Sequence, residues 1–528
     1  MVRPREQNLS QQFERLRSDY AIAKESRFRS RLTGVSPSGS GADYHIRSEG
    51  QFLRAIEQAR AFDRDNMVIG QGVNRLADNV VQDGFTLDPD TGSPDLDNYL
   101  FERWQQWALD PRACHAAERC NWPQIEWLTF RHTIVDGDIL NLPLETGQLE
   151  TVEAHRLRTP RNTSRNVVHG VLINDLGAAR EYWVTRLETD PMRPVQRVSD
   201  IKPYKAVDED GFPAAFHVFD PRRFSQTRGV TAFAPIADPA GMHDDIQFAT
   251  LVKQQVASCY TIFHEMAAGE DEPALPGEGR GAVEDQTLPD GTTRRVAGLA
   301  PGMEIFGQPG EKLQGFSPNI PSAEFFQHAM LILSIIAVNL NLPVAVLLLD
   351  PTRTNFSGWR GAIDQARQTF KRLQANLIAR LHTPVYHWKV RQWMAEDEKL
   401  VRLIRAAGSD VQPLRHSWQP PSWQYIEPVK DATGDILQLR TALTSARRLH
   451  ARRGNGDWQE LADEIVEDNA YAIVKAKIKA AEINKQFEDG QPVHWRELIS
   501  LPTPEGVTIA LGPDGETAAE RKEETADV

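Results

Sequence analysis

Four residues in one stretch have the chemistry to ligate zinc: Cys114, His115, Cys120 and His132. Structural zinc sites usually begin with a tight cysteine pair, and the six-residue step from Cys114 to Cys120 is too wide for one. Cysteine on a helix also serves as a small apolar residue, so no metal is expected here. "FHEMAA" opens like a zinc-protease helix, but the second histidine of HExxH is replaced by Ala268. "GQPGEKLQG" lacks the spacing of a phosphate-binding loop and the hydroxyl that should follow Lys312. Asp136 and Asp138 in "VDGDIL" could form a carboxylate pair, yet Asp-Gly is a strong turn signal and a hairpin turn is the expected reading. No GxSxG and no Ser-His-Asp signature stands out. Neither catalysis nor a cofactor is expected.

The elements that would position these residues belong to a long, acidic chain. It has 528 residues, 40% of them apolar, and a formal net charge of −13. At roughly 100–200 residues per domain this allows about three domains or one large elaborated one. A tight duplex-DNA binder needs a basic surplus to neutralise phosphates, so any nucleic-acid contact should be weak, local or transient. Three cysteines in so large a chain are no disulfide framework and fit a reducing cytosol. The first thirty residues have no apolar core of a secretory signal, and none is expected.

The most apolar stretch, "AMLILSIIAVNLNLPVAVLLLD" from Ala329 to Asp350, has the length of a membrane span. Ser334, Asn339, Asn341 and Pro343 interrupt it, and no basic flank anchors it, so a span is not expected. It divides instead into a helix and a short apolar segment. The helix is capped by Ser322, carries Glu324 in its first turn and ends near Asn341, before Pro343. Val344 to Asp350 reads as strand or turn, and "PTRTNFSG" as a polar loop.

Elsewhere, residues 44–110 read as helical, with Leu53, Ile56, Ala59 and Phe62 on one face. Residues 130–235 read as strands, with hairpins in "HTIVDGDILNLPL" and "GVLINDLGAAREYWVTRL". A helix carries the stripe Leu251, Val252, Val256, Cys259 and Phe263, and a Gly- and Pro-rich excursion with strands "TTRRVAGL" and "MEIFG" follows. A long helix from Trp359 to about Lys399 should kink at Pro384. Two more helices should fill 431–484, before a solvated acidic tail. The pattern is α+β, with no alternating βαβ units.

Three stretches resemble the phage portal proteins of the lambda type: "HVFDPRRFSQTRGVTAFAP" (217–235), "HGVLINDLGAAREYWV" (169–184), and the run from "GEKLQGFSPNIPSAEFF" to "RGAIDQARQTF" (310–370). The resemblance extends over roughly 45–480. It implies a ring, usually of twelve copies, at one capsid vertex, with DNA passing through its central channel during packaging and exit. On this chain it implies a flexible arm (1–43), an α+β wing (44–239), a first stem helix (240–268), a small β-containing clip (269–315) and a second stem helix (316–342). A tunnel loop (343–358), a long kinked helix completing the wing (359–430), a helical crown (431–490) and a tail (491–528) follow.

The implied partners are further copies of the chain, double-stranded DNA, terminase, major capsid and scaffolding proteins, and head-completion or tail adaptor proteins, with no membrane. The implied location is the virion vertex, and the host cytoplasm during assembly. Arg353, Thr354, Asn355, Arg360, Arg367 and Lys371 are the residues expected along the channel, beside Arg372. Solvated faces or ion pairs account equally well for the helix arginines. In the clip, Arg294, Arg295, Met303, Ile305 and Phe306 are expected to dock partners, and these strands could extend a neighbour's sheet. Leu251, Val256 and Phe263 are expected to pack against Leu331, Ile335 and Val338, within or between copies.

Overall fold

The computed structural model describes residues 48–160, 166–186, 201–258, 262–264, 283–287, 293–297, 304–306, 323–350, 352, 354–423, 428–453, 458–486 and 492–498. The arm, most of the tail, Ser322, Arg353 and Met303 lie outside them.

The chain enters as a helical pair, α1 (Glu49–Asp65) and α2 (Met67–Val80). Asn66 breaks what reads as one helix: its backbone N–H closes α1 on Phe62, while its Oδ1 accepts from Ile69 N at 3.1 Å to cap α2. The buried face of α1 is Phe52, Ala55, Ile56 and Ala59, rotated from the Leu53–Phe62 stripe because the core lies on that side. Then come β1 (Thr86–Pro89), α3 (Pro94–Leu109), the single turn α4 (Pro111–Cys114) and α5 (Trp122–Val135). Asn121 and Gln124 start α5 with a reciprocal capping box.

The Asp136-Gly137 step is not a hairpin turn. It is the end of α5, where both N–H groups donate to His132 O and Gly137 takes φ +101°. Strand β2 (Asp138–Pro143) follows and pairs antiparallel with β3 (Leu149–Glu153). The expected second hairpin is present as β5 (Val171–Ile173) and β6 (Ala179–Val184), flanked by β4 (Val167–Val168) and β7 (Lys202–Lys205) in a four-stranded antiparallel sheet. Strand β8 (Phe216–Phe219) returns to β2 and gives a sheet of order β3-β2-β8. β2 separates two cores. Ile139 faces the main helical core, whereas Leu140 and Leu142 join Val152, Leu157, Val171 and Tyr182 in a smaller one.

Helix α6 (Ala237–Ser258) is shorter than the expected 240–268. Phe263 lies in β9 (Ile262–His264), which pairs parallel with β12 (Glu304–Phe306), so it cannot share a helical stripe with Leu251. Between them β10 (Val283–Thr287) and β11 (Thr293–Ala297) form an antiparallel ladder. Helix α7 (Ala323–Asn339) packs on α6. Val344–Leu348 is helical (α8), not strand or turn.

The long helix is α9 (Phe356–Leu377) and α10 (Thr383–Glu396), joined by a π-helical turn at Ile378–His382. Pro384 has no N–H, and its ring would strike the carbonyl four residues back. The wider turn absorbs both without ending the helix. Ala366, Phe370, Leu373, Leu377 and Leu381 are buried along it at helical spacing, and Ile363, on the same stripe, is half-buried. After α11 (Glu398–Ala407), β13 (His416–Gln419) pairs with β1 and ties residues 86–89 to 416–419. Three helices, not two, close the described chain: α12 (Pro428–Arg440), α13 (Ala446–Arg453) and α14 (Trp458–Gln486). No helix among the described residues is long and apolar enough to cross a membrane.

Candidate functional site

The 341–355 segment is built by two successive left-handed helix stops. Asn341 (φ +55°) ends α7, with Leu342 N–H donating back to Ala337 O at 3.0 Å. Leu349 (φ +53°) ends α8 in the same way, with Asp350 N–H donating to Ala345 O at 3.1 Å. Between them Leu347 is buried, and it and Leu340 meet α2 at Gly72, where an added Cβ would stand 2.8 Å from both. Two of the polar interruptions of the apolar stretch, Ser334 and Asn339, are satisfied inside the protein. Ser334 Oγ donates to Met330 O, and Asn339 Nδ2 donates to Ala232 O at 2.7 Å.

In the loop that follows, Asp350 Oδ1 accepts from Thr352 N and Oγ1. Thr354 is exposed. Asn355 is the N-cap of α9, its Oδ1 accepting from Gly358 N at 2.8 Å. Arg360, Arg367 and Lys371 share one face of α9, seven and then four residues apart. Arg360 pairs with Asp431 of α12 at 2.9 Å. Arg367 lies over the Trp423 ring and 3.6 Å from Asp364. Lys371 is exposed, with no carboxylate partner among the described residues. Arg372 forms a two-armed pair with Asp220.

The two helices before the loop carry apolar residues on outward faces. Met242, Phe248, Leu251 and Val252 are exposed on α6, Leu251 at 59%. On α7, Ile332, Ile336 and Ala337 enter the core, while Leu331, Ile335 and Val338 are exposed at 56%, 43% and 75%. Leu251 and the α7 trio therefore do not bury one another within the chain. Val256 lies on α6. Arg294 and Arg295 lie on β11 opposite Gln286 and Asp285, and Ile305 and Phe306 on β12 opposite Phe263 and His264.

The stretch 217–235 converges on a carboxylate that its Asp-Gly context concealed. Buried Asp138 accepts from Arg228 Nε at 2.5 Å and Nη2 at 2.9 Å, from Gly229 N at 2.9 Å and from His217 at 3.1 Å. Arg228, also buried, donates to the carbonyls of His169 and Ala154 and lies over Phe52. Burial alone would raise the Asp138 carboxyl, but Arg228 and His217 hold it well below the usual carboxylate range. Gly229 packs on the Gly137 carbonyl with no room for a Cβ. Asp136 is buried one step away, held low against the cost of burial by Arg60 and His132. This node joins β2, β8, α1 and the 169–184 hairpin, and each of its charges is paired.

The candidate zinc residues do not converge. Cys114 Sγ donates to Cys120 O at 3.3 Å, and burial pushes its thiol up to about 12. His115 faces Thr151, and His132 faces Asp136. Among the described residues no group of three His, Cys, Asp or Glu is placed to hold a metal.

A family model described as phage portal protein, lambda family, matches residues 28–374. The chain is 22% identical over 473 residues to the probable portal protein of Halomonas phage phiHAP-1, covering 85% of this chain and 86% of that one. It is 23% identical over 519 residues to the portal protein of Escherichia phage N15, covering 88% and 94%. Among solved structures it is similar to a chain in the neck of a native gene transfer agent particle computed with C12 symmetry. That match has 13% identity and a TM-score of 0.41, and covers 75% of this chain and 92% of that one.

Proposed function

The chain belongs to the lambda family of phage portal proteins, and from that premise we propose that it assembles as a ring at one capsid vertex and conducts DNA. The observation that carries the ring is the apolar outer face of α6 and α7. Six side chains there (Phe248, Leu251, Val252, Leu331, Ile335 and Val338) are exposed although both helices also pack inward. An isolated chain gains nothing from such a surface, while a neighbouring copy of the same helices would bury it.

In this reading twelve copies close the ring, and the double helix passes through its centre. The 341–355 segment leads from the stem to the lumen, with Lys371 on the helix after it as the group best placed to meet phosphates. A translocation channel must release DNA at every step, and a chain of net charge −13 suits weak contact. Arg360 and Arg367 have intramolecular partners and would reach DNA only by giving them up. The strands β9–β12 form the clip, which meets terminase during filling and head-completion or tail proteins afterwards. Capsid and scaffolding proteins surround the wing. The protein acts as a conduit without chemistry of its own, in the virion and, before that, in the host cytoplasm.

Negative-stain microscopy and native mass spectrometry of the purified chain test this. The expected result is a ring with a central hole and the mass of twelve chains. A monomer or dimer under all salt and protein concentrations would sink the proposal.

A further inference from the structure

A cleft of about 300 Å³ opens between the β5–β6 hairpin, strand β8 and the π-helical turn of the long helix. One wall is a row of stacked groups. Tyr182 stands edge-on to His217 with ring centroids 5.3 Å apart, His217 lies 4.8 Å from Phe219, and the Arg380 guanidinium lies 4.3 Å over Phe219. The row has a donor at each end. Arg380, from the π-helical turn, is half-buried; its guanidinium is open to solvent and has no hydrogen-bond or ion-pair partner among the described residues. Asp220 attracts it, but both oxygens of that carboxylate are taken by Arg372. Tyr182 is buried, yet its hydroxyl opens on the cleft and bonds no group among the described residues. Burial and the Asp138 charge push that hydroxyl up to about 12, so at neutral pH it is a donor. Asp138, behind His217, is paired with Arg228, and burial keeps His217 itself from charging. The lining is left with one cation, Arg380.

We propose that this cleft docks an acidic side chain of another polypeptide, a glutamate or aspartate whose carboxylate takes the Arg380 fork and the Tyr182 hydroxyl. A guanidinium stacked on a ring keeps its N–H edge free, and that edge matches a carboxylate in two parallel bonds. A phosphate dianion would call for a second cation, which the lining lacks. A water takes up about 30 Å³, so the space admits a whole side chain. The lips of the cleft favour a polypeptide over a free anion. Leu176, beside Gly177 at the hairpin tip, and Phe224, two residues before Gln226, are both fully exposed. They add nothing for a small ligand inside the cleft, but they suit apolar residues flanking an inserted acid. Exposed Arg222 and Arg223 on the same loop as Phe224 outnumber Asp175 on the hairpin tip, so the surround also favours an acidic partner. An arginine set among aromatic rings is the composition of an interface hot spot.

Fluorescence anisotropy with the full-length protein tests this. The probe is the tripeptide Leu-Glu-Phe, amidated at its C-terminus and labelled with a neutral fluorophore, against its Leu-Gln-Phe counterpart. Nα-acetyl-glutamate methylamide serves as competitor. Saturable binding of the glutamate peptide is expected, weakened about tenfold or more for the glutamine peptide and in Arg380→Gln, and weakened less in Tyr182→Phe. Neither side chain hydrogen-bonds another described group, so both variants should keep the melting midpoint of the parent, which separates docking from a structural role. Leu176→Ser combined with Phe224→Ser should weaken the tripeptide and leave the competitor unchanged. That pair and Tyr182→Phe carry the test if Arg380→Gln fails to fold. Equal affinity of the tripeptide and the competitor would make a free carboxylate the occupant. A changed oligomeric mass of Arg380→Gln in light scattering would make it a neighbouring copy. Either result overturns the proposal, as do absence of saturable binding, equal binding of the two peptides, or undiminished binding in the folded variants.

Discussion

Asp138 was legible only as half of a turn signal, because its partners stand 79 and 90 residues away at His217 and Arg228. Asp138→Asn leaves Arg228 buried without a full countercharge, and should cost about 3–5 kcal/mol in urea unfolding. The sign of its pH dependence follows from its lowered folded value. The carboxylate stabilises the fold above the unfolded value of about 3.9, and this contribution is lost as pH falls through the folded value. The variant should therefore lack that part of the acid-destabilisation limb. Lys389 titrates at the other end. It is buried against Trp107, Trp388 and Trp393, and burial lowers its ammonium to about 8. Between that pH and the unfolded value of about 10.4 the unfolded chain holds the extra proton, so stability rises with pH. Thermal melts of Lys389→Met should lose that rise; an undiminished rise would place its origin elsewhere.

At the scale of elements, periodicity located the helices and punctuation located most of their ends. Pro343 marks a stop and Pro384 a distortion in sequence and structure alike, because a proline acts through its own missing donor and ring. Val344–Leu348 is helical where strand or turn is expected, since five apolar residues carry too little period to separate strand from helix. Its helical state is settled by Leu347 packing on α2 at Gly72. The loop residues divide by role in the same way. Asn355 caps α9, so Asn355→Ala should lower stability by about 1 kcal/mol, whereas Thr354→Ala, at an exposed position, should change it by less than about 0.5. Chemical denaturation of the two variants side by side distinguishes a cap from a surface group. Equal effects would count against the assignment.

For the whole molecule, the exposed face of α7 is the test of assembly. Replacing Leu331, Ile335 and Val338 together by serine removes apolar groups that the single chain leaves in solvent. Helical content should be unchanged, and the proposed ring should be lost in size-exclusion chromatography with light scattering. Rings of undiminished yield would place the subunit contact on another surface. The same argument extends to α14, where Ile465, Val466, Val474 and Ile478 are exposed along one long helix.

By itself, the sequence determined the α+β class, the interruption of the apolar stretch and the family. All of these rest on local periodicity, on proline and glycine geometry, or on stretches that can be compared directly. Only the tertiary structure decided which face of each helix is inside. It placed Ile332 and Ile336 inward and Leu331 and Ile335 outward, although all four are equally apolar. It also decided which buried polar groups meet. Asp138 with Arg228, and Glu126 with His382, are brought together across 90 and 256 residues by strand pairing and helix packing. A buried charge is tolerated only where the fold delivers its partner, and no local pattern in the chain records that delivery.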